Sequence, residues 1–300
     1  MSTVFIWPKK RAHCLIITVT TIVLSTVLIF FCGDMGYASC TIVSYSSQSS
    51  GLPPTTEASL KIAVATNFYE HGVDVVTQFL KDPVYSTATI LVCHGSNSSF
   101  IQLLLSQGNI YNYSLFLSSD QDVADIVANA FALNAFHYAS VINVLYSHKL
   151  SVPQMYNTSE SKIILGTGNV ETFAVTDPDV TSNSAATVRI ENDFLDQKAE
   201  LDSISIFYPS IKETYDSVYN EIKDAGFVEK NQICTILPSA AYVQFPANFD
   251  LPLYGTLVKI DTEIIPLANT LKDYLLSPAV QTRLVNSCYR AAVSFDQPNK

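Results

Sequence analysis

Small neutral hydrogen-bond donors occur at four points where a run of apolar residues gives way to a helical pattern. These points are Thr66-Asn67, Ser96-Asn97, Asn183-Ser184 and Ser210-Ile211. The free N–H groups at the start of a helix bind anions, and side-chain hydroxyls and amides add further donors. Each pair alone is more often an ordinary helix cap that binds nothing. Four of them in one chain predict a site in which several neutral donors hold a small oxyanion.

Residue patterns typical of enzymes do not occur in this sequence. None of the five histidines is spaced from another as HxH or HxxxH, the spacings that would predict a metal cluster. His94 lies close to Ser96, but the chain has no G-x-S-x-G motif and no acid placed to orient this histidine. Walker and dinucleotide-binding fingerprints are also missing. We therefore expect a binding protein rather than an enzyme, with no cofactor and no cation site.

The charge balance argues against a nucleic-acid partner. The chain carries 27 acidic and 17 basic residues, a formal net charge of -10, and phosphate backbones need a basic surface. An acidic protein can still bind an anion, but only through local hydrogen bonds rather than through its overall field. The composition, 48% apolar with 15% charged, predicts a packed globule of one large or two moderate domains.

The N-terminal region predicts export. An uncharged run of twenty residues, Cys14 to Gly33, follows the basic residues Lys9, Lys10 and Arg11. Such a run can cross a bilayer, either as a signal peptide or as an uncleaved anchor, so residues 1–40 are assigned to one of these roles. Cys40 follows a sequence that faintly resembles a lipoprotein cleavage site and is a candidate for lipidation.

Residues 41–59, rich in Ser, Thr, Pro and Gly, predict a flexible linker to the globular body. The cysteines of that body are Cys93, Cys234 and Cys288. An odd number without close spacing predicts neither a disulfide framework nor a zinc motif.

Predicted strands place the candidate donors at one edge of a sheet. Lys61–Ala65, Thr89–Cys93 and Tyr113–Ser118 are short apolar runs that each end in a polar turn before a helix. Repeated strand–turn–helix units predict an α/β fold with a parallel sheet, and the turns then lie together at the carboxyl ends of the strands.

The same pattern recurs in the middle of the chain and predicts a second lobe. Thr172–Thr176 and Ser203–Tyr208 are predicted strands, and polar turns follow them. We expect the chain to cross into this lobe near Tyr138–Asn143 and to return near Pro238–Tyr242. The first lobe then comprises residues 60–140 and 240–300, and the second comprises residues 141–239.

Six segments in order resemble the molybdate-binding proteins of bacterial ABC transporters, which belong to the type II periplasmic binding proteins. KIAVATNF at Lys61–Phe68 resembles the opening AVAANF motif of that family, and Gly95-Ser96 resembles its serine loop. SLFLSSD at Ser114–Asp120 is similar to its D-L-F-x-S-A-D segment. The other similar segments are Phe173–Pro178, Phe245–Leu253 and Asp273–Arg290.

The resemblance implies a two-lobed type II periplasmic-binding-protein fold with a ligand cleft between the lobes. Molybdate or tungstate would be held there by neutral hydrogen bonds and delivered to an ABC transporter permease. The matching donors are Thr66 and Asn67, the hydroxyl of Ser96, Asn183 and the backbone N–H of Ile211. A monomer in the periplasm or at the cell surface is expected.

Three departures from the family pattern bear on the ligand. The second-lobe loop reads Thr181-Ser182-Asn183-Ser184 in place of P-Y-G or P-A-G, and Gly226-Phe227-Val228 continues into Glu229-Lys230. The stretch from Asp179 to Leu201 is also unusually acidic. Two alternative functions therefore stay open. One is a membrane-anchored sensor or interaction module with the same fold. The other is a binder of another oxyanion, such as sulfate or phosphate, or of an organic anion.

Overall fold

The computed structural model describes residues 14–18, 28–32, 39–44, 59–106, 108–164, 170–177, 190–194, 203–236 and 240–292. The strands of these residues are β1 Cys14–Thr18, β2 Leu28–Cys32, β3 Ser39–Ser44, β4 Leu60–Ala65, β5 Thr89–Gly95, β6 Leu115–Ser118, β7 Phe136–Val141, β8 Asn143–Ser147, β9 Tyr156–Asn157, β10 Lys162–Ile163, β11 Phe173–Thr176, β12 Ser205–Tyr208, β13 Ala225–Glu229, β14 Ala241–Gln244, β15 Leu251–Leu257 and β16 Arg290–Ala291.

The α-helices between these strands are α1 Tyr69–Phe79, α2 Asn97–Ile101, α3 Gln121–Ala130, α4 Val152–Met155, α5 Ile211–Tyr219, α6 Lys230–Ile233, α7 Pro266–Leu275 and α8 Pro278–Asn286. Two 3-10 turns, Thr66–Phe68 and Ala247–Phe249, and a π-helical turn, Gln102–Ser106, complete the regular structure that has defined bounds.

The first lobe is built on a seven-stranded sheet in the order β16-β7-β15-β6-β4-β5-β3. Strand β4 runs parallel to both β5 and β6 at the centre of this sheet. Central strands covered on both faces are apolar at every position, because each side chain meets a helix layer. Ile62 and Val64 contact the core that contains Phe79, whereas Ala63 faces the cluster around Phe100.

The second lobe is built on a five-stranded sheet in the order β12-β11-β13-β8-β14. Strands β11, β12 and β13 are parallel, and β8 and β14 are antiparallel to their neighbours. The core on one face contains Phe173 and Phe227, whose rings pack edge to face at 5.1 Å. Helix α5 covers the other face, where Val218 contacts the cluster around Tyr146. These two sheets confirm the predicted α/β class.

Two crossovers join the lobes. Only Ile142 separates β7 of the first sheet from β8 of the second, and its carbonyl accepts a hydrogen bond from Lys230 N at 2.8 Å. The return passes through residues 245–250, between β14 and β15. The expected return near Pro238–Tyr242 is wrong in position, because β14 pairs with β8 in the second sheet. Pro238 itself lies outside the described residues, and the remaining domain boundaries stay predictions.

Two disulfides connect Cys40, Cys93, Cys234 and Cys288 in pairs. Cys40 is bonded to Cys93 across the antiparallel pair β3 and β5, and Cys234 is bonded to Cys288. The expectation of no disulfide framework is therefore wrong, because sequence separations of 53 and 54 residues leave no spacing signal. The first disulfide also occupies the Cys40 sulfur that the lipoprotein pattern assigned to a lipid. A sulfur atom cannot carry both bonds, so the structure has a disulfide in place of that lipidation.

The disulfide between Cys234 and Cys288 spans the two lobes. Cys234 follows α6, whose residue Ile233 belongs to a second-lobe core. Cys288 follows α8, whose residues Val280 and Leu284 belong to the first-lobe core. Within the described residues, one covalent bridge therefore links the lobes in addition to the two crossovers.

The apolar N-terminal run contains two described strands. Strands β1 and β2 are antiparallel, with Cys14 opposite Cys32. Among the residues that the structure describes, none of the helices has the length and apolar character needed to cross a membrane. The predicted signal peptide or anchor stays a prediction.

Candidate functional site

The candidate donors of the first lobe lie side by side because their strands are parallel neighbours. Ala65, the last residue of β4, is opposite Gly95, the last residue of β5. Thr66 and Ser96 follow these residues directly and are both exposed to solvent. The structure thus brings these two predicted site residues to one edge of the first sheet.

Ser96 caps the short helix α2 and belongs to a cluster of hydroxyls. Its Oγ accepts a hydrogen bond from Ser99 N at 3.2 Å and lies 3.0 Å from Ser98 Oγ and 2.8 Å from Ser99 Oγ. The next residue, Asn97, donates from Nδ2 to Ser119 Oγ at 3.1 Å and accepts from Ser118 Oγ at 3.2 Å. These bonds fix the turns after β5 and β6 relative to each other.

Asn67 reaches across to the second lobe. It lies in the 3-10 turn that follows β4, which is anchored by the fully buried ring of Phe68. Its Nδ2 donates to Glu229 Oε1 at 3.2 Å, and its backbone carbonyl accepts from Tyr289 Oη at 3.3 Å. Its Oδ1 is buried and has no hydrogen-bond partner among the described residues.

Glu229 is the buried acid of this contact. It is the last residue of β13 and is 1% exposed. Burial raises the pKa of its carboxyl to about 7, although hydrogen bonds from Asn67 and Asn231 act in the opposite direction. Burial disfavours the charged form of an acid because the protein interior solvates charge poorly. The carboxyl therefore titrates in the neutral pH range.

Tyr289 supports the same contact from the first lobe. Its Oη accepts from Asn231 Nδ2 at 2.9 Å while it donates to the carbonyl of Asn67. Its ring packs edge on against Phe68 at 5.7 Å and against His71 at 4.9 Å. Burial raises the pKa of Tyr289 well above its ordinary value, so the phenol stays neutral and keeps its proton.

A glutamine links this contact to the start of helix α5. Gln232 accepts from Glu229 N at 3.0 Å and donates from Nε2 to the carbonyl of Ile211 at 3.2 Å. Ile211 is the first residue of α5, and the N-cap residue Ser210 accepts from Glu213 N at 3.2 Å. The chain of bonds therefore runs from Asn67 through Glu229 and Gln232 to Ile211.

We call this set of cross-lobe residues the interlobe seam. It consists of Asn67 and Tyr289 from the first lobe and Glu229, Asn231 and Gln232 from the second. The structure brings Thr66, Asn67 and Ser96 to the first-lobe edge and ties Asn67 to Ile211 through the seam. Asn183, the fifth predicted site residue, lies outside the described residues. Strand β11, which precedes it in the chain, ends beside the parallel strand β12 that leads to Ser210.

Sequence reasoning missed most of the seam. In the sequence, Glu229 stood out only as a departure from the family pattern, because it is an acid at the end of the otherwise apolar run of β13. Tyr289 lies 222 residues from Asn67, so no local pattern could pair them. Within the described ranges, no group of three or more His, Cys, Asp or Glu side chains is arranged to hold a metal ion.

Several solved structures share this fold. A periplasmic molybdate-binding protein of Azotobacter vinelandii matches with a TM-score of 0.61 and 21% identity, over 77% of this chain and 98% of that one. The substrate-binding domain of a putative molybdenum ABC transporter from Clostridium difficile matches with a TM-score of 0.62 and 18% identity, over 78% and 98%. Iron-bound HitA from Pseudomonas aeruginosa matches with a TM-score of 0.55 and 11% identity, over 81% and 90%.

No family model matches the sequence, and no curated protein is similar to it at the sequence level. At identities of 21% and below, the matches define the fold and not the ligand. The chain therefore has the two-lobed α/β fold of the periplasmic binding proteins, as the sequence predicted.

Proposed function

We propose that this protein is an extracytoplasmic solute-binding protein that captures a small oxyanion, molybdate or tungstate, between its lobes and delivers it to an ABC transporter permease. One observation carries the proposal: strands of both sheets end at the interlobe seam. There Asn67, in the turn between β4 and α1, donates a hydrogen bond to Glu229, the last residue of β13. In open α/β sheets, ligands bind outside the carboxyl ends of the strands.

Each predicted donor has a defined part in this proposal. Thr66, Asn67 and Ser96 supply hydroxyl and amide donors from the first lobe. Ile211 supplies a backbone N–H at the start of the nine-residue helix α5, where the helix dipole favours negative charge. Asn183 completes the second-lobe wall. A set of neutral donors holds a dianion without introducing a compensating positive charge.

Such a site binds without catalysing a reaction. The donors form hydrogen bonds to the oxygen atoms of the anion, and the proposal includes no nucleophile and no cofactor. Closure of the lobes around the anion would present a distinct shape to the permease. The names of the similar molybdate-related structures support this choice of ligand over others.

A thermal-shift screen tests the proposal. A ligand that binds only the folded state stabilises it by about 2.7 kcal/mol at one hundred times its dissociation constant. Molybdate and tungstate are expected to raise the melting temperature more than equal concentrations of sulfate or phosphate. A larger shift with sulfate or phosphate would identify that anion as the ligand in place of molybdate or tungstate. No shift with any of the four anions would overturn the proposal that the protein captures an oxyanion.

A second candidate, a membrane-anchored sensor, is favoured by two features. The uncharged run from Cys14 to Gly33 suits an anchor, and the bridge between Cys234 and Cys288 restrains the separation of the lobes. Mass determination of the mature N-terminus distinguishes the candidates. An intact Met1 supports the anchored sensor, whereas a cleaved N-terminus supports the transport protein.

A further inference from the structure

The interlobe seam buries an acid beside one of the neutral donors that the proposed function requires. Glu229 is 1% exposed, and its Oε1 lies 3.2 Å from Nδ2 of Asn67, one of the proposed anion donors. A charged carboxylate here would repel a bound dianion across a short, poorly solvated distance. A neutral carboxylic acid would not.

The seam is also short of hydrogen-bond donors. Oδ1 of Asn67 and Oδ1 of Asn231 are both buried, and neither has a partner among the described residues. Both amides donate toward Glu229 through their nitrogen atoms. A buried acceptor that has no donor destabilises the folded state, so one additional proton would stabilise this cluster.

We propose that Glu229 takes up a proton when the site captures a dianion, so that anion binding is coupled to proton binding at the interlobe seam. This inference rests on the proposed function. The proton comes from solvent and becomes the O–H of the Glu229 side chain. The side-chain amide of Asn67 then rotates so that its oxygen and nitrogen exchange places. The new O–H of Glu229 donates to Asn67 Oδ1, and Asn67 Nδ2 becomes free to donate to an oxygen atom of the anion.

Among the described residues, the titratable groups of the seam and of the residues around it are two tyrosines, an acid, a histidine and a lysine. Burial, followed by the charge of Glu229, raises the pKa of Tyr138 on β7 and of Tyr289, so both phenols stay protonated and neutral. On α1, Glu70 is acidic, and burial lowers the pKa of His71. Nζ of Lys230, the residue after Glu229, donates instead to Gln244 Oε1 at 2.7 Å.

The raised pKa of Glu229, about 7, sets the pH range of the coupling. The carboxyl of the free protein is mostly protonated at pH 6 and mostly ionised at pH 8. If only the protonated form accepts the anion, the association constant falls about tenfold from pH 6 to pH 8. Molybdate is a suitable probe because it stays fully deprotonated over this range.

Isothermal titration of the full chain with molybdate at pH 6, 7 and 8 and constant ionic strength tests this coupling. Two buffers with different ionisation enthalpies at each pH report the number of protons taken up. Wild type is expected to bind about tenfold more weakly at pH 8 than at pH 6 and to take up close to one proton at pH 8. Glu229→Gln, which is always neutral, is expected to change less than twofold and to take up none.

Two further variants test whether the pH dependence comes from the buried carboxyl of Glu229 rather than from the overall charge of the protein. Glu213→Gln removes an exposed acid in the first turn of α5 and is expected to keep the tenfold fall. Glu229→Asp keeps a carboxyl and is expected to keep proton uptake, which guards against a defect specific to the glutamine variant. Wild type without pH dependence, or Glu229→Gln with the full tenfold fall, would overturn the coupling. No binding of molybdate by any variant at any pH would instead overturn molybdate capture, and the coupling with it.

Discussion

Removal of the disulfide between Cys234 and Cys288 should open the interlobe seam. This bridge lies close to the seam in sequence, because Asn231 precedes Cys234 by three residues and Tyr289 follows Cys288 directly. The bridge connects the end of α6 in the second lobe to the segment after α8 in the first lobe. We therefore expect Cys234→Ala with Cys288→Ala to lower the cost of separating the lobes.

The disulfide between Cys40 and Cys93 provides a matched control. The two bridges close loops of nearly equal length, with sequence separations of 53 and 54 residues. The chain-entropy model gives about 4 kcal/mol of stabilisation for a loop of this length. Both double-alanine variants should thus lose about 4 kcal/mol in the free energy of unfolding. The control bridge lies within the first lobe, so its loss should leave the seam closed.

Denaturant unfolding followed by circular dichroism measures the stability loss, and native-state hydrogen exchange measures the opening of the seam. Backbone amides of residues 225–234 and 286–290 should lose protection in the variant that lacks the bridge between Cys234 and Cys288, by more than its global destabilisation explains. The control variant should show the global loss alone. Equal seam exchange in both variants would refute the reasoning that the bridge restrains lobe separation.

Four further predictions concern single substitutions. Ser96→Ala removes a hydroxyl donor and should weaken molybdate binding by about 1.5–3 kcal/mol in calorimetry. Glu229 has a folded-state pKa of about 7, above its ordinary value of 4.5, so the native state binds more protons than the unfolded state between these values. Its contribution to stability therefore falls as pH rises, and the advantage of Glu229→Gln over wild type should grow by about 2–3 kcal/mol from pH 5 to pH 8 in denaturant unfolding. Gly72→Ala should raise stability by about 1 kcal/mol, because Gly72 lies within helix α1 and the added Cβ meets Val64 at an ordinary contact distance of 3.4 Å. Gly226→Ala should destabilise by at least that amount, because its Cβ would lie 2.7 Å from the carbonyl oxygen of Ala174.

Each of these predictions has a contrary outcome. Unchanged molybdate affinity in Ser96→Ala would remove this residue from the site. A constant stability difference between Glu229→Gln and wild type across the pH range would mean that the acid is not buried as described. Thermal unfolding in which Gly72→Ala loses more stability than Gly226→Ala would contradict the packing around α1 and β13.

The elements of the fold were predictable where the signal was local. Lys61–Ala65 and Thr89–Cys93 are short apolar runs with abrupt polar ends, and both form strands in the structure. The repetition of strand, polar turn and helix also gave the parallel centre of the first sheet. The order of strands at the crossovers was harder to predict from the sequence. Strand β14 has intermediate burial, and its pairing with β8 depends on residues about 100 positions earlier.

The parts of the site that join distant segments could not be predicted in the same way. Thr66, Asn67 and Ser96 follow strand ends and were visible as local patterns. The partners of Asn67 are Glu229 and Tyr289, 162 and 222 residues away, and nothing in the composition of those segments pairs them. The bridge between Cys234 and Cys288 likewise depends on how the lobes pack.

An anomalous difference map from crystals grown with tungstate tests the central claim most directly, because tungsten marks the anion and the map shows its position. The proposed function predicts a single strong peak between the lobes, with oxygen atoms within hydrogen-bond distance of Thr66, Asn67 and Ser96 on one side and the backbone N–H of Ile211 on the other. A peak elsewhere on the surface, or no peak at the interlobe seam, would contradict it.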